Sequence, residues 1–161
     1  MKKIILLFTL VFGFNIASAQ VDVIKKQIGE TLRGRIISVD DNVIVFTYEG
    51  QDVPYTIAKN AVEKITYGRS GQVIQTSNKI TVTSQADWAK VVIIENLENT
   101  KGLEVGPRIG DGADLANYQS GNNGNSAVAR KLKTEAARLG YQFVLVTTDA
   151  SSNTTAVVYK Y

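Results

Sequence analysis

Between Ser126 and Thr148 the chain spells out a capped helix, a glycine stop and a strand, and everything else must pack around that unit. From Val128 the apolar residues fall at Val128, Ala129, Leu132, Ala136 and Leu139, a stripe of about 100° at 3.6 residues per turn. Ser126 can accept a hydrogen bond from an orphan backbone N–H at the start, and Gly140 can take the left-handed conformation that closes a helix. Arg130, Lys133, Thr134 and Arg138 lie off the stripe and make the outer face basic, while Glu135 sits at its rim within reach of Lys131 and Arg138. Tyr141 to Thr148 is rich in aromatic and β-branched residues and too short for a second helix, so a strand follows directly.

The same reading extends over residues 87–161. Trp88 leads into a strand over Lys90 to Ile94; Glu95 to Gly102 is a polar connection; Leu103 to Val105 begins a second strand. The helix comes after a long loop, then the strand from Tyr141, a turn at Asp149 to Asn153 and a last strand from Thr155 to Tyr161. The expected order is β-β-α-β-β, an α+β unit with one helix lying on an antiparallel sheet. Val144, Val146, Ala156 and Val158 point opposite to Phe143, Leu145, Val157 and Tyr159, so both sheet faces are apolar. One helix covers one face; the other should be covered by the first half of the chain or by another copy.

Residues 20–76 read as all-β. Short runs end at Gly29, at Asp40-Asp41-Asn42 and at Glu49-Gly50-Gln51-Asp52, each a credible turn. Val53, Tyr55 and Ile57 alternate, Lys59 to Val62 fits one helical turn, Ile65 and Tyr67 alternate again, and Val73 to Gln75 closes the set. Five or six strands in so short a stretch, with one helical turn before the last hairpin, predict a small SH3-like β-barrel; an open meander packed on the second half is the alternative. Residues 77–86 are polar and read as a linker, with room for a short strand at Ile80 to Val82.

Met1-Lys2-Lys3, the apolar run Ile4 to Phe12 and Ala17-Ser18-Ala19 before Gln20 have the order of a secretory signal peptide, with cleavage expected after Ala19. The run is shorter than the roughly 20 residues of a membrane span, so no transmembrane segment is expected after cleavage. Processing takes Lys2 and Lys3 from 18 basic side chains set against 15 acidic ones, which leaves a nearly neutral protein and little reason to expect nucleic acid. With no cysteine in the chain, neither disulfides nor a lipoprotein cysteine anchor is available. The product is expected in the periplasm, at the outer membrane or outside the cell.

Absence of histidine and cysteine removes serine–histidine triads, cysteine nucleophiles and the usual zinc, copper and haem ligands. The carboxylates nearest one another around the long loop are Glu104, Asp111 and Asp114, which offers a hydrolase of envelope polymers as an alternative reading. Glycine and asparagine in the loop from Ile109 to Asn125 run into the helix N-terminus, where Asp111, Asp114, Asn122 and Asn125 could hold calcium or frame an anion, although neither a phosphate-loop fingerprint nor EF-hand spacing is present. Arg130, Lys133 and Arg138 could meet an acidic partner or anionic lipid. No cofactor is implied.

Asp22 to Lys26, Gly29-Glu-Thr-Leu32 and Tyr55 to Tyr67 resemble the small β domain of uncharacterised exported proteins of the Bacteroidota cell envelope, a group that Gln20 after Ala19 also suits. Asp87-Trp88, Gly102 to Gly106 and Lys131 to Gly140 resemble the one-helix α+β domain that follows it there, and more distantly a putative heavy-metal-binding family. That family commonly has Gly-Ala after the helix where this chain has Gly140-Tyr141, and soft-metal binding would need soft ligands, of which the chain has only Met1. The resemblance implies a ring-like homo-oligomer and carries no catalytic residue. The reading that results is a non-enzymatic, exported binding or assembly module whose partner is an envelope protein or a further copy of itself.

Overall fold

The computed structural model describes residues 21–110, 115, 126–151 and 153–161. The leader, and the loop residues Asp111, Asp114, Asn122 and Asn125, lie outside them.

Six antiparallel strands form the first sheet: β1 (Asp22–Lys26), β2 (Thr31–Val39), β3 (Val43–Tyr48), β4 (Pro54–Ala58), β5 (Val62–Thr66) and β6 (Val73–Gln75), ordered β4-β3-β2-β1-β5-β6. The expected helical turn is a 3₁₀ turn at Lys59–Ala61, between β4 and β5. Alternation along the strands buries Ile24, Ile44, Phe46, Ile57 and Ile65 on one side, which with Ala58, Ala61 and Val62 make one core. A bulge between Ile36 and Ser38 leaves Ile37 without a cross-strand partner and turns it outward. Among the described residues no pairing joins β4 to β6, so the sheet is not closed by hydrogen bonds into a barrel.

The second sheet holds β7 (Val92–Ile94), β8 (Glu104–Ile109), β9 (Phe143–Thr148) and β10 (Thr154–Lys160), in the order β7-β9-β10-β8. Helix α1 (Ala127–Arg138) stands between β8 and β9 in sequence, as expected. The expected antiparallel sheet needs one correction, since β7 runs parallel to β9, with Val92, Ile93 and Ile94 opposite Phe143, Val144 and Leu145. Consecutive β7 and β8 are not neighbours. They flank the β9–β10 hairpin from opposite sides, because the chain between them leaves the sheet altogether.

That excursion is residues 95–103, which the polarity of the segment hides. A 3₁₀ helix at Leu97–Thr100 docks beside β4, where Ala58 N donates to the Lys101 carbonyl at 2.8 Å. Leu103 then packs against the core of the first sheet and against Phe143 and Leu145 of the second. The segment after β6 is held as well: buried Gln27 donates to the Ser77 carbonyl at 2.9 Å and to Ser77 Oγ at 3.0 Å, and Ser77 Oγ donates to the Val62 carbonyl at 2.8 Å. Ile80 to Val82 makes no strand, but Val82 enters the core under the helix and Ile80 packs on both sides of the second sheet.

Both faces of that sheet are therefore occupied, though unequally. Leu132, Ala136 and Ala137 of α1 cover Val144, Val146, Ala156 and Val158. On the reverse, Leu103, Ile80 and Tyr161 cover Phe143 and Leu145, Tyr161 meeting Phe143 edge-on at 5.3 Å and accepting from Ile80 N at 3.1 Å. Burial pushes the Tyr161 phenol up from its ordinary range. The cover thins across the row Phe143–Tyr159–Val105, which shares one face: Phe143 is 0% exposed and Val105 63%.

The helix ends follow their sequence signals. Ser126 Oγ accepts from Ala129 N at 3.1 Å, and Gly140, at φ 80°, allows Tyr141 N to reach the Ala136 carbonyl at 2.9 Å and Gly140 N the Ala137 carbonyl at 3.0 Å. This closure turns Leu139 outward and buries Ala137 in its stead, a correction to the expected stripe. Tyr141 lies across Gly106 of β8, where a Cβ would run into its ring.

Candidate binding groove

Trp88 does not open a core strand. It sits in a 3₁₀ helix at Gln85–Lys90, started by Ser84 and Asp87 in a reciprocal cap. Asp87 accepts from the Lys90 ammonium at 2.6 Å, from Thr83 N and Thr83 Oγ1 at 2.9 Å and from Ser84 N at 3.2 Å. The Lys90 bond above all, then the two from Thr83, holds its carboxyl far below the usual carboxylate range. Val91 N donates to the Trp88 carbonyl at 3.1 Å, and β7 starts from this fixed end.

β7 is an edge. Val92 N donates inward to the Gln142 carbonyl at 3.0 Å, and in a parallel ladder the next residue's groups point the other way. Ile93 N–H and C=O thus face outward, without a partner among the described residues. They face an open groove of about 720 Å³, lined on one side by Lys133 of α1 and on the other by Asn42 and Asn60 of the first sheet, with Asn96 and Asn99 at its end. Lys59 N donates to the Asn42 carbonyl at 2.8 Å, which brings the Asn42 and Asn60 turns together. Asn96 caps the following 3₁₀ helix through Glu98 N at 2.9 Å, whereas the side-chain amides of Asn42, Asn60 and Asn99 make no hydrogen bond to described residues. Lys133 likewise has no ion pair there, Lys90 is paired with Asp87, and Glu95 at the margin is already engaged.

The other sheet edges contrast with this one. The chain's two prolines stand in edge strands, Pro54 in β4 and Pro107 in β8, where the missing N–H blunts an edge. β4 is also held by Lys101 and β8 is irregular opposite Val157 to Tyr159. β6 is an edge without proline, but its three residues are exposed and line no groove. β7 carries neither proline nor bulge.

The three basic residues expected to form a partner face have different neighbours. The Arg130 guanidinium lies over the Trp88 ring, 4.8 Å from its centre, and Arg138 is bound to Glu135 through two hydrogen bonds of 2.9 and 2.6 Å. The Arg138 contact holds the Glu135 carboxyl below its ordinary range. Only Lys133 of the three lines the groove. Glu104, the one described member of the carboxylate trio, is exposed on β8 and pairs with Lys160 at 3.1 Å. Among the described residues no three carboxylates cluster as a metal site would require, and no helix is long and apolar enough to cross a membrane. Asn42, Asn60 and Asn99 were not legible as site residues, since each reads locally as a turn former.

Compared with known protein families, with characterised proteins and with solved structures, the chain matches none.

Proposed function

We propose that this chain is an exported, non-catalytic binding or assembly module of the bacterial cell envelope, and that its contact surface is the groove along β7. The observation that carries the reading is the unguarded edge itself: outward groups on Ile93, the amides of Asn42, Asn60 and Asn99, and Lys133, none with a partner among the described residues, converge on one space. These groups are open to solvent, and a ligand that supplies partners for them takes the place of water there.

In this reading residues 1–19 are a signal peptide removed on export, 20–76 a small domain whose curled sheet is SH3-like, 77–86 the linker, and 87–161 the α+β domain. The partner is an envelope protein or another copy of the chain, and no lipid anchor is attached through cysteine.

Site-directed photo-crosslinking in the native envelope tests this. A photoreactive residue in place of Asn42 or Asn99 should capture one discrete partner band, and one in place of Ile28, in the turn between β1 and β2 and outside the groove lining, should not. Equal labelling from all three positions, or labelling from Ile28 alone, would show that the groove is not the contact surface.

A further inference from the structure

We infer that the groove takes an extended acidic peptide segment of a partner protein, which adds to β7 as a fifth strand of the second sheet. This rests on the proposed function and names the chemistry of its partner. Strand addition needs an edge whose outward N–H and C=O are free and whose flanks leave room for a backbone, and β7 offers both at Ile93. The sheet spacing puts an added strand about 4.8 Å outside β7, within the groove and between its two walls.

Side chains of an added strand alternate between those walls. On the helix side, where Ile93 also points, they meet Lys133; on the opposite side, where Val92 and Ile94 point, they meet Asn42, Asn60 and Asn99. Lys133 has no carboxylate partner among the described residues, so a carboxylate on the peptide is its complement. The asparagine wall satisfies polar side chains of either kind, and Glu95, which also lines the groove, is already engaged. Charge complementarity therefore selects an acidic partner, and the backbone of β7 supplies the rest.

The test uses the full chain, purified after export and labelled with ¹⁵N, and three capped octapeptides as probes. One alternates glutamate with valine, one alternates lysine with valine, and the third is the glutamate peptide N-methylated at every backbone nitrogen. The glutamate peptide should shift the amide signals of Ile93 and its neighbours and slow exchange of the Ile93 N–H. The lysine peptide should bind about tenfold more weakly or worse, as should the glutamate peptide to Lys133→Glu, an exposed-face change that leaves the core intact. N-methylation should abolish binding, because it removes the N–H groups that a strand must donate.

Equal affinity for the two charged peptides, binding that survives N-methylation, shifts remote from β7, or no binding at millimolar peptide would each overturn the inference. A concentration-dependent dimer seen by sedimentation and lost in Ile93→Pro would also overturn it, placing a second copy on the edge. Crosslinks from Asn42 and Asn99 that persist while the peptides fail would leave the groove as the contact surface and discard only strand addition.

Discussion

Replacing Phe143 by alanine should cost far more than replacing Val105, although both lie in one row on one face of one sheet. Phe143 is fully buried beneath Leu103 and Ile80 and meets Tyr161 edge-on. A buried Phe→Ala change costs about 3–5 kcal/mol through lost transfer energy and the cavity it leaves. Losing the edge-to-face contact contributes about 0.5–1.5 kcal/mol, partly counted already in that range. A total of about 4–5 kcal/mol corresponds to a fall in Tm of roughly 10–20 °C for a chain of this size. Val105, 63% exposed, should change stability by no more than about 0.5 kcal/mol when cut to alanine. Thermal and urea unfolding followed by circular dichroism, at two protein concentrations, reads both. A loss above about 1.5 kcal/mol for Val105→Ala, growing with protein concentration, would mean that a second copy covers that end of the face, and the argument from the single chain would fail. A comparably small loss for Phe143→Ala would refute the packing of Leu103 and Ile80 over it.

Three further outcomes are expected. Gln27→Ala removes the buried donor to the Ser77 carbonyl and hydroxyl and should cost about 1–3 kcal/mol in urea unfolding, whereas Gln75→Ala, which removes only the exposed second donor to that carbonyl, should cost distinctly less. Gly106→Ala collides with the Tyr141 ring and should destabilise by about 1–3 kcal/mol, and a double-mutant cycle with Tyr141→Ala should recover most of that loss; additive losses would remove the contact from the account. Glu135 is held below its ordinary value of 4.5 by Arg138, so the pair's contribution is fully present above that value and is lost as pH falls through the lower folded-state value. Arg138→Gln should move the Glu135 titration upward in carboxyl NMR, and its stability deficit should shrink as pH drops below 4.5; a deficit unchanged by acid would assign the effect to packing.

Local chemistry was the legible part of the fold. Ser126 and Gly140 marked the helix because capping depends on residues that touch one another in sequence, and the alternation of β9 and β10 marked strands for the same reason. The parallel partner of β7 was not legible, since nothing within Lys90 to Ile94 says which of two later strands it will meet. The polar run after it looked like a hairpin connection, yet Leu103 at its end packs against the cores of both sheets. Of the site, the sequence offered Lys133 and paired it with Arg130 and Arg138, whose real partners, Trp88 and Glu135, come from packing and from helix spacing. The asparagines of the groove arrive from separate turns, and only the fold brings them to one place.

The order β7-β9-β10-β8 also dictates when the second sheet can exist. Its first two strands in sequence touch only strands that come last, so a chain made from its N-terminus carries β7 and β8 unpaired until residues 143–160 arrive. The first sheet, complete by Gln75, has no such wait. A stop ahead of Thr154 would therefore strand both edges at once. It would leave β8 with no neighbour and β7 beside a lone β9, and the lesion would show as an exposed, aggregation-prone half attached to an intact one.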